Sequence, residues 1–395
     1  MHSMSRRRFG ALCLITTTVL VLAATAAVSA PGDNSDEVRT VAAVEFLGEV
    51  IVETGSMFAG TEIGGLSSIT YDRLRDVYYI ISDDQGNRED SDDPVRYYTA
   101  SIDVSDGSFG EGDVTFTDVT AMSDVSNKPV APGGLDPEGL VLGMPNQLFF
   151  SSEGNIFADP IIDPFIRRYN RQGKVTAHLP IPDHYIPNGV DHGVRFNLGF
   201  ESLNLTPNRE YLVTAGEAAL FQDGPAASFT NGSLARILAY DLNRRTPVAE
   251  YVYEVASWAE PSGIFGVNGI VEVLPIDNAG TMLVMERSFS VGGVLGGGTG
   301  NVVAIYEVST RGATDVLDID ALYDGGSPIT FDAVDKSLVF HFDDLGIPID
   351  NIEGMTFGPD LPDGRRSLVI VSDNNFSAGQ FTQFVVLALD VEAVG

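Results

Sequence analysis

The chain reads as an all-β protein, a β-propeller of five repeat units whose ring is closed by an N-terminal strand. Three observations point there. A short unit recurs along the sequence, and its clearest copy is Gly199-Phe200-Glu201-Ser202-Leu203-Asn204 followed by Tyr211-Leu212-Val213-Thr214-Ala215-Gly216-Glu217. It is a strand carrying a carboxylate, a turn, then an apolar strand ending in a second carboxylate. Copies begin at 67, 138, 201, 268 and 353, a spacing of 63 to 85 residues that suits four-stranded propeller blades. The second observation is composition: 42 glycines and 20 prolines among 395 residues fit many short strands joined by many turns. The third is that no long stretch holds a helical period.

The elements follow in order. Residues 1–30 read as an export signal. Ser5-Arg6-Arg7-Arg8-Phe9 is its charged region and resembles a twin-arginine signal. An apolar run from Ala11 to Ala24 follows, with Ala24-Thr25-Ala26 and Val28-Ser29-Ala30 as small-residue cleavage sites. An uncleaved membrane anchor is the rival reading, weakened by the three threonines in the run. Residues 31–40 are a polar linker, and Val41–Val52 is a strand. The first unit supplies four strands at Leu66–Tyr71, Val77–Ser82, Arg96–Val104 and Asp113–Val119. The second continues through Phe165-Ile166-Arg167-Arg168-Tyr169, and the third through Ala235–Leu242 and Val248–Val255. The fourth adds Val302–Val308, and the fifth ends in Phe381–Leu389 with no outer strand of its own. Val41–Val52 is therefore the spare strand that completes the last unit and leaves no open edge. Six blades are the alternative count, with Asp315–Asp350 hiding the extra one. Within it, Lys336–Asp344 reads equally as a short helix.

Composition narrows the function. The formal net charge is −32, and removing the export segment takes away three arginines and no acid, leaving −35. A chain this acidic is no partner for nucleic acid, whose phosphates need cationic faces. Cys13 is the only cysteine and lies in the export segment, so disulfides, thiolate nucleophiles and Cys-ligated zinc are excluded from the mature chain. No Gly-x-Ser-x-Gly elbow and no His-Glu-x-x-His motif occurs. The glycine-rich run Gly292–Gly300 precedes a strand instead of a helix, so it reads as a mobile rim loop and not as a phosphate-cradling loop. The six acids between Asp83 and Asp93 lack EF-hand spacing and read as a solvated loop.

In a propeller, equivalent positions of the blades point at one central funnel. The repeat then yields two carboxylate sets. Glu138, Glu201 and Glu353 come from the first strands, where Ser67 and Asn268 stand in for the other two. Asp83, Glu153, Glu217, Glu286 and Asp373 come from the second strands. Converging carboxylates repel one another and must be protonated, paired with cations or bound to metal. Hard oxygen ligands favour calcium or magnesium, and calcium tolerates the more irregular cage. Asp83, Glu138, Glu153, Glu201, Glu217, Glu353 and Asp373 are the candidate metal ligands. The competing reading is that such carboxylates bond neighbouring backbone N–H groups and hold the blades together. Arg88, Arg195 and Arg287 lie close to these acids in sequence and are candidates for binding an anionic substrate. Glu217, Glu286 and Arg287 are the candidate catalytic groups.

Gly64-Gly65-Leu66-Ser67-Ser68-Ile69-Thr70-Tyr71-Asp72 and Tyr79-Ile80-Ile81-Ser82-Asp83-Asp84 resemble the opening of phytase-like propeller domains, described as having an esterase-like activity of phytase. Asp136-Pro137-Glu138-Gly139-Leu140, Gly199-Phe200-Glu201-Ser202-Leu203 and Glu286-Arg287-Ser288-Phe289 fit the same family. The resemblance spans about residues 44–391, making 41–395 one phytase-like propeller. It implies an exported, calcium-dependent hydrolase of phosphate esters. The expected protein is a periplasmic or extracellular monomer acting on a small anionic ester. No stable membrane partner is expected after signal removal. True β-propeller phytases carry several lysines at the phosphate site, whereas Lys128, Lys174 and Lys336 here fall outside the repeated motifs. The alternatives are a non-catalytic propeller that binds an anion or sugar, and a lactone or carboxylic-ester hydrolase.

Overall fold

The computed structural model describes residues 37–394, apart from 90, 144–145 and 261–263. The export segment, Cys13 and the cleavage sites lie outside these residues, as does all of the linker but its last four positions. Five four-stranded antiparallel sheets form the five blades. Blade 1 is Leu66–Asp72, Val77–Ser82, Arg96–Ile102 and Val114–Ala121. Blade 2 is Pro137–Leu142, Gln147–Ser152, Phe165–Asn170 and Val175–Leu179. Blade 3 is Asn204–Leu205, Tyr211–Ala215, Ser233–Asp241 and Thr246–Val255. Blade 4 is Gly266–Pro275, Thr281–Ser290, Asn301–Ser309 and Asp335–His341. Blade 5 is Asn351–Asp360, Arg366–Asp373, Thr382–Ala393 and, outermost, Arg39–Val52.

The innermost strands touch in the cycle 1-2-3-4-5-1, which closes the ring. Each blade interface has its own apolar core. Ile69, Tyr98 and Phe384 meet between blades 1 and 5, and Met285, Ile352 and Leu387 between blades 4 and 5. Phe200 and Leu238 serve blades 2 and 3, Tyr97 and Phe150 blades 1 and 2, and Val213 and Val284 blades 3 and 4. Inner strands are covered on both faces, so Pro137–Leu142 is buried throughout. The outer strand Val114–Ala121 alternates exposed with half-buried positions, as a one-sided strand does.

The closing strand pairs antiparallel with Thr382–Ala393, from Arg39 opposite Ala393 to Val52 opposite Thr382. It starts at Arg39, two residues before the position read from sequence. Its pairing slips at Gly48, which sits at φ 145°. A Cβ there would come within 1.8 Å of the Phe109 carbonyl oxygen, so only glycine lets the two backbones approach.

The described residues form no sixth blade. After Ser309 the chain leaves blade 4 and runs along the outer strand of blade 3, where the N–H groups of Val316 and Val334 bond the carbonyls of Glu250 and Val252. A buried Arg236 holds this excursion. It pairs with Asp223 and Glu250 and donates to the Ile319 carbonyl at 3.0 Å. The chain returns as Asp335–His341, so Lys336 lies in the fourth strand of blade 4, which is followed by a 3-10 turn at Phe342–Leu345. The glycine-rich run also departs from expectation, because Val291–Leu295 forms a short helix capped by the Ser290 side chain.

Glu272 sits deep among the innermost strands with no solvent exposure. Its carboxyl accepts from Ser68 of blade 1 at 3.3 Å, Asn204 of blade 3 at 3.3 Å and its neighbour Val273 N–H at 2.9 Å. The Met355 backbone of blade 5 adds a further hydrogen bond. Ser68 in turn takes the Leu140 N–H of blade 2 at 3.1 Å. One side chain thus joins a network reaching all five blades. Burial pushes its carboxyl well above the usual range against the pull of these donors.

Candidate functional site

A cavity of about 750 Å³ opens at the ring. Asp83, Glu138, Glu201, Glu217, Glu353 and Asp373 all line it, together with Arg287 and Asn268. The blade repeat places these carboxylates at the same end of successive strands, so closing the ring gathers them. Glu153 lies beside them, 3% exposed, and accepts the Gly199 N–H through one oxygen. Its other oxygen is buried without a hydrogen-bond partner.

Two sets of three carboxylates bring ligand oxygens within 4.8 Å of one another: Asp136, Glu138 and Glu153, and Glu153, Glu201 and Glu217. Glu153 belongs to both. Glu201 lies with an oxygen within 4.8 Å of oxygens of Glu153 and Glu217, a closeness that ionised carboxylates keep only with a shared proton or cation between them. Hard oxygen donors with an unpaired buried oxygen fit a divalent cation of the calcium or magnesium kind.

On the other side, Arg287 pairs with Glu353, donates to Asn351 at 2.6 Å and approaches Glu217 at 3.4 Å. Asn351 bridges Glu353 at 2.9 Å and Asp373 at 3.2 Å. Asp373 also accepts the Asn375 N–H at 2.6 Å. The guanidinium offsets this side of the cavity and touches the triads only through Glu217.

The electrostatics follow from burial first. Burial, with the nearby Asp373 and Glu353 charges, pushes Asp83 well above the carboxylate range. Glu138 and Glu201 rise well above it for the same reasons, with Asp136 and Glu153 as their nearest like charges. Glu153 and Asp373 are pushed up to about 8, by burial and then by Asp136 and Glu353 respectively. Burial lifts Glu217 to about 7 against the pull of Arg287, and lifts Asp136 to about 6. Glu353 is also raised by burial, with Arg287 opposing. For Arg287 burial acts downward, but the charges of Glu353 and Glu217 hold it above its usual range.

Three residues read from sequence as functional lie off the cavity. Glu286 bonds Tyr253 Oη at 2.6 Å and pairs with Lys336 of the outer strand of blade 4. Adjacent residues of a strand point to opposite faces, so Arg287 facing the cavity turns Glu286 away from it. Arg88 neutralises its own acidic loop instead, bonding Glu62 at 3.0 Å, lying 3.4 Å from Asp84 and stacking 3.7 Å over the Phe376 ring. Arg195 is spent on backbone carbonyls, Ala219 at 2.9 Å and Gly224 at 2.7 Å, and stacks on Phe221. Neither arginine lines the cavity.

Asp136, Gln85 and Asn351 were missed as lining residues. Asp136 stood two residues before Glu138 in a recognised motif, and Asn351 two before Glu353. The two-residue strand period was the available signal.

A family model described as phytase-like, esterase-like activity of phytase, matches residues 61–376. A curated relative from Arthroderma benhamiae, described as an uncharacterized secreted protein, is 26% identical over 192 residues. That match takes in 40% of this chain and spans about a third (35%) of the relative's length. Among solved structures, a Dos1 propeller aligns at a TM-score of 0.34 and 9% identity, over 84% of this chain and 69% of that one. A hydrazine synthase of Kuenenia stuttgartiensis aligns at 0.32 and 11% identity, over 86% and 69%.

Proposed function

Because the chain belongs to the phytase-like family, we propose that it is a secreted hydrolase of phosphate esters that works with a divalent cation, calcium foremost, in the carboxylate cavity. The observation that carries this reading is the pair of carboxylate triads sharing Glu153. Asp136, Glu138 and Glu153 would hold one ion, and Glu153, Glu201 and Glu217 a second. Bound there, such ions neutralise phosphoryl oxygens and lower the pKa of a coordinated water. Without them, Arg287 is the one basic side chain among the described lining residues, set against seven lining carboxylates.

The chain's own groups divide the remaining work. Arg287 is held rigid by Glu353 and Asn351. Its fork of donors stabilises charge on the transferring phosphoryl group. Arg287 reaches Glu217 at 3.4 Å through one carboxylate oxygen only, so the carboxylate can orient the attacking water. Secretion fits the export segment at residues 1–30 and the description of the fungal relative.

The test is hydrolysis of 4-nitrophenyl phosphate by the calcium-loaded protein. A Glu201→Gln, Glu217→Gln double variant should lose about 10²–10³-fold in kcat/KM, the scale of removing a preorganised electrostatic group. A parallel panel of lactones and acyl esters separates the alternatives. Turnover confined to those substrates, or wild-type turnover of the phosphate no faster than the variant's across divalent metals, overturns the reading.

A further inference from the structure

The same cavity has a second chemical face. Phe196, Leu198, Phe265, Val267 and Phe289 line it beside the carboxylates. They come from the segment entering blade 3 and from blade 4, whereas blades 1, 2 and 5 contribute acids and amides to the lining. The carboxylates are buried, but Phe196 is 50% exposed and Phe265 55% exposed, which places these rings at the mouth. Phe157 packs on Phe196 with ring centroids 4.7 Å apart and extends the apolar rim outward. Large apolar rings held half in water mark a binding surface, because the chain loses free energy by exposing them.

Resting on the phosphoesterase reading above, we infer that the substrate is a phosphate ester of a bulky apolar alcohol, with its phosphate at the carboxylate floor and its aromatic or aliphatic body against Phe196 and Phe265. Phytate does not match this lining. Every carbon of its ring carries a phosphate, so it has nothing to bury against these phenylalanines and would bring further charge to an acidic mouth. An amphiphilic ester matches both faces. Covering on the order of 60 Å² of ring surface is worth about tenfold in affinity.

Phosphonates test this without hydrolysis, since their carbon–phosphorus bond is not cleaved and leaving-group chemistry drops out. Calorimetry on calcium-loaded protein should show naphthylmethylphosphonate binding at least about tenfold more tightly than methylphosphonate. In a Phe196→Ala, Phe265→Ala double variant the ratio should fall to within about twofold. Both rings are half exposed, so their removal opens no core. A calcium-dependent melting curve like that of wild type verifies the variant's fold, and Phe196→Leu, Phe265→Leu offers a milder pair with an intermediate ratio. Equal binding of the two phosphonates to wild type overturns this inference and leaves the phosphoesterase intact. A preference that persists in the double variant overturns the role of these two rings. If neither phosphonate binds, both readings fall.

Discussion

Chelating the cation should lower the melting temperature, and should lower it further at about pH 8 than at about pH 5. An ion that binds only the folded chain stabilises it by about 2.7 kcal/mol at a hundredfold excess over its dissociation constant. The pH dependence comes from the state left behind. Without metal, burial puts Asp136 at about 6, Glu217 at about 7, and Glu153 and Asp373 at about 8. The unfolded carboxyls titrate near ~4, so between these values the folded chain binds more protons than the unfolded one. Stability of the metal-free protein is then greatest in acid and declines as pH rises through that window. In the proposed metal-loaded protein cations would take the place of these protons, so its stability would hold where the chelated protein weakens. Differential scanning calorimetry with and without chelator, on protein shown by elemental analysis to have carried metal, checks both parts. An unchanged transition in chelator would sink the stabilising role of the ion. Equal shifts at both pH values would mean that these carboxyls do not hold protons in the folded chain.

Glu272→Leu should cost about 3–5 kcal/mol, far more than its distance from solvent chemistry would suggest. The substitution leaves the Asn204 amide, the Val273 N–H and the Met355 N–H without their acceptor. Each buried donor stranded in this way costs about 1–3 kcal/mol. Part is regained because Ser68 can turn back to the Leu140 carbonyl, already 3.5 Å away. Glu272→Gln keeps one acceptor oxygen and should lose only about 1–2 kcal/mol. Denaturant midpoints at unchanged slope measure both. A leucine variant within about 1 kcal/mol of wild type would show that the blades hold their ring without this network.

How far the sequence reached can be followed residue by residue. The all-β class, the five units and the N-terminal closure were legible because blade strands are local. A four-strand rhythm with one strand missing at the end and one spare at the start has one economical closure. Asp83, Glu138, Glu201, Glu217, Glu353 and Asp373 were legible for the same reason: equivalent positions in a rotational repeat share one axis. What failed were statements that depend on partners far away in the chain. Arg88 and Arg195 lie near the acids in sequence, but Phe376 and Glu62 claim one, and the Ala219 and Gly224 carbonyls claim the other. Residues 315–350 looked like room for a blade because nothing local reveals that Arg236 docks their first part on blade 3.

The sequence by itself therefore determined the architecture, the number of repeats and the acidic ring, all of which follow from a periodicity that each blade carries within itself. Only the tertiary structure decided which of two neighbours faces the cavity. Glu286 and Arg287 are adjacent, pair with Ile270 and Gly269 of the innermost strand, and point to opposite faces of the blade. It also decided that Glu272 reaches across to the other blades and that Phe196 and Phe265 stand at the mouth. Such placements depend on how separate blades meet, and no periodicity within one blade encodes that.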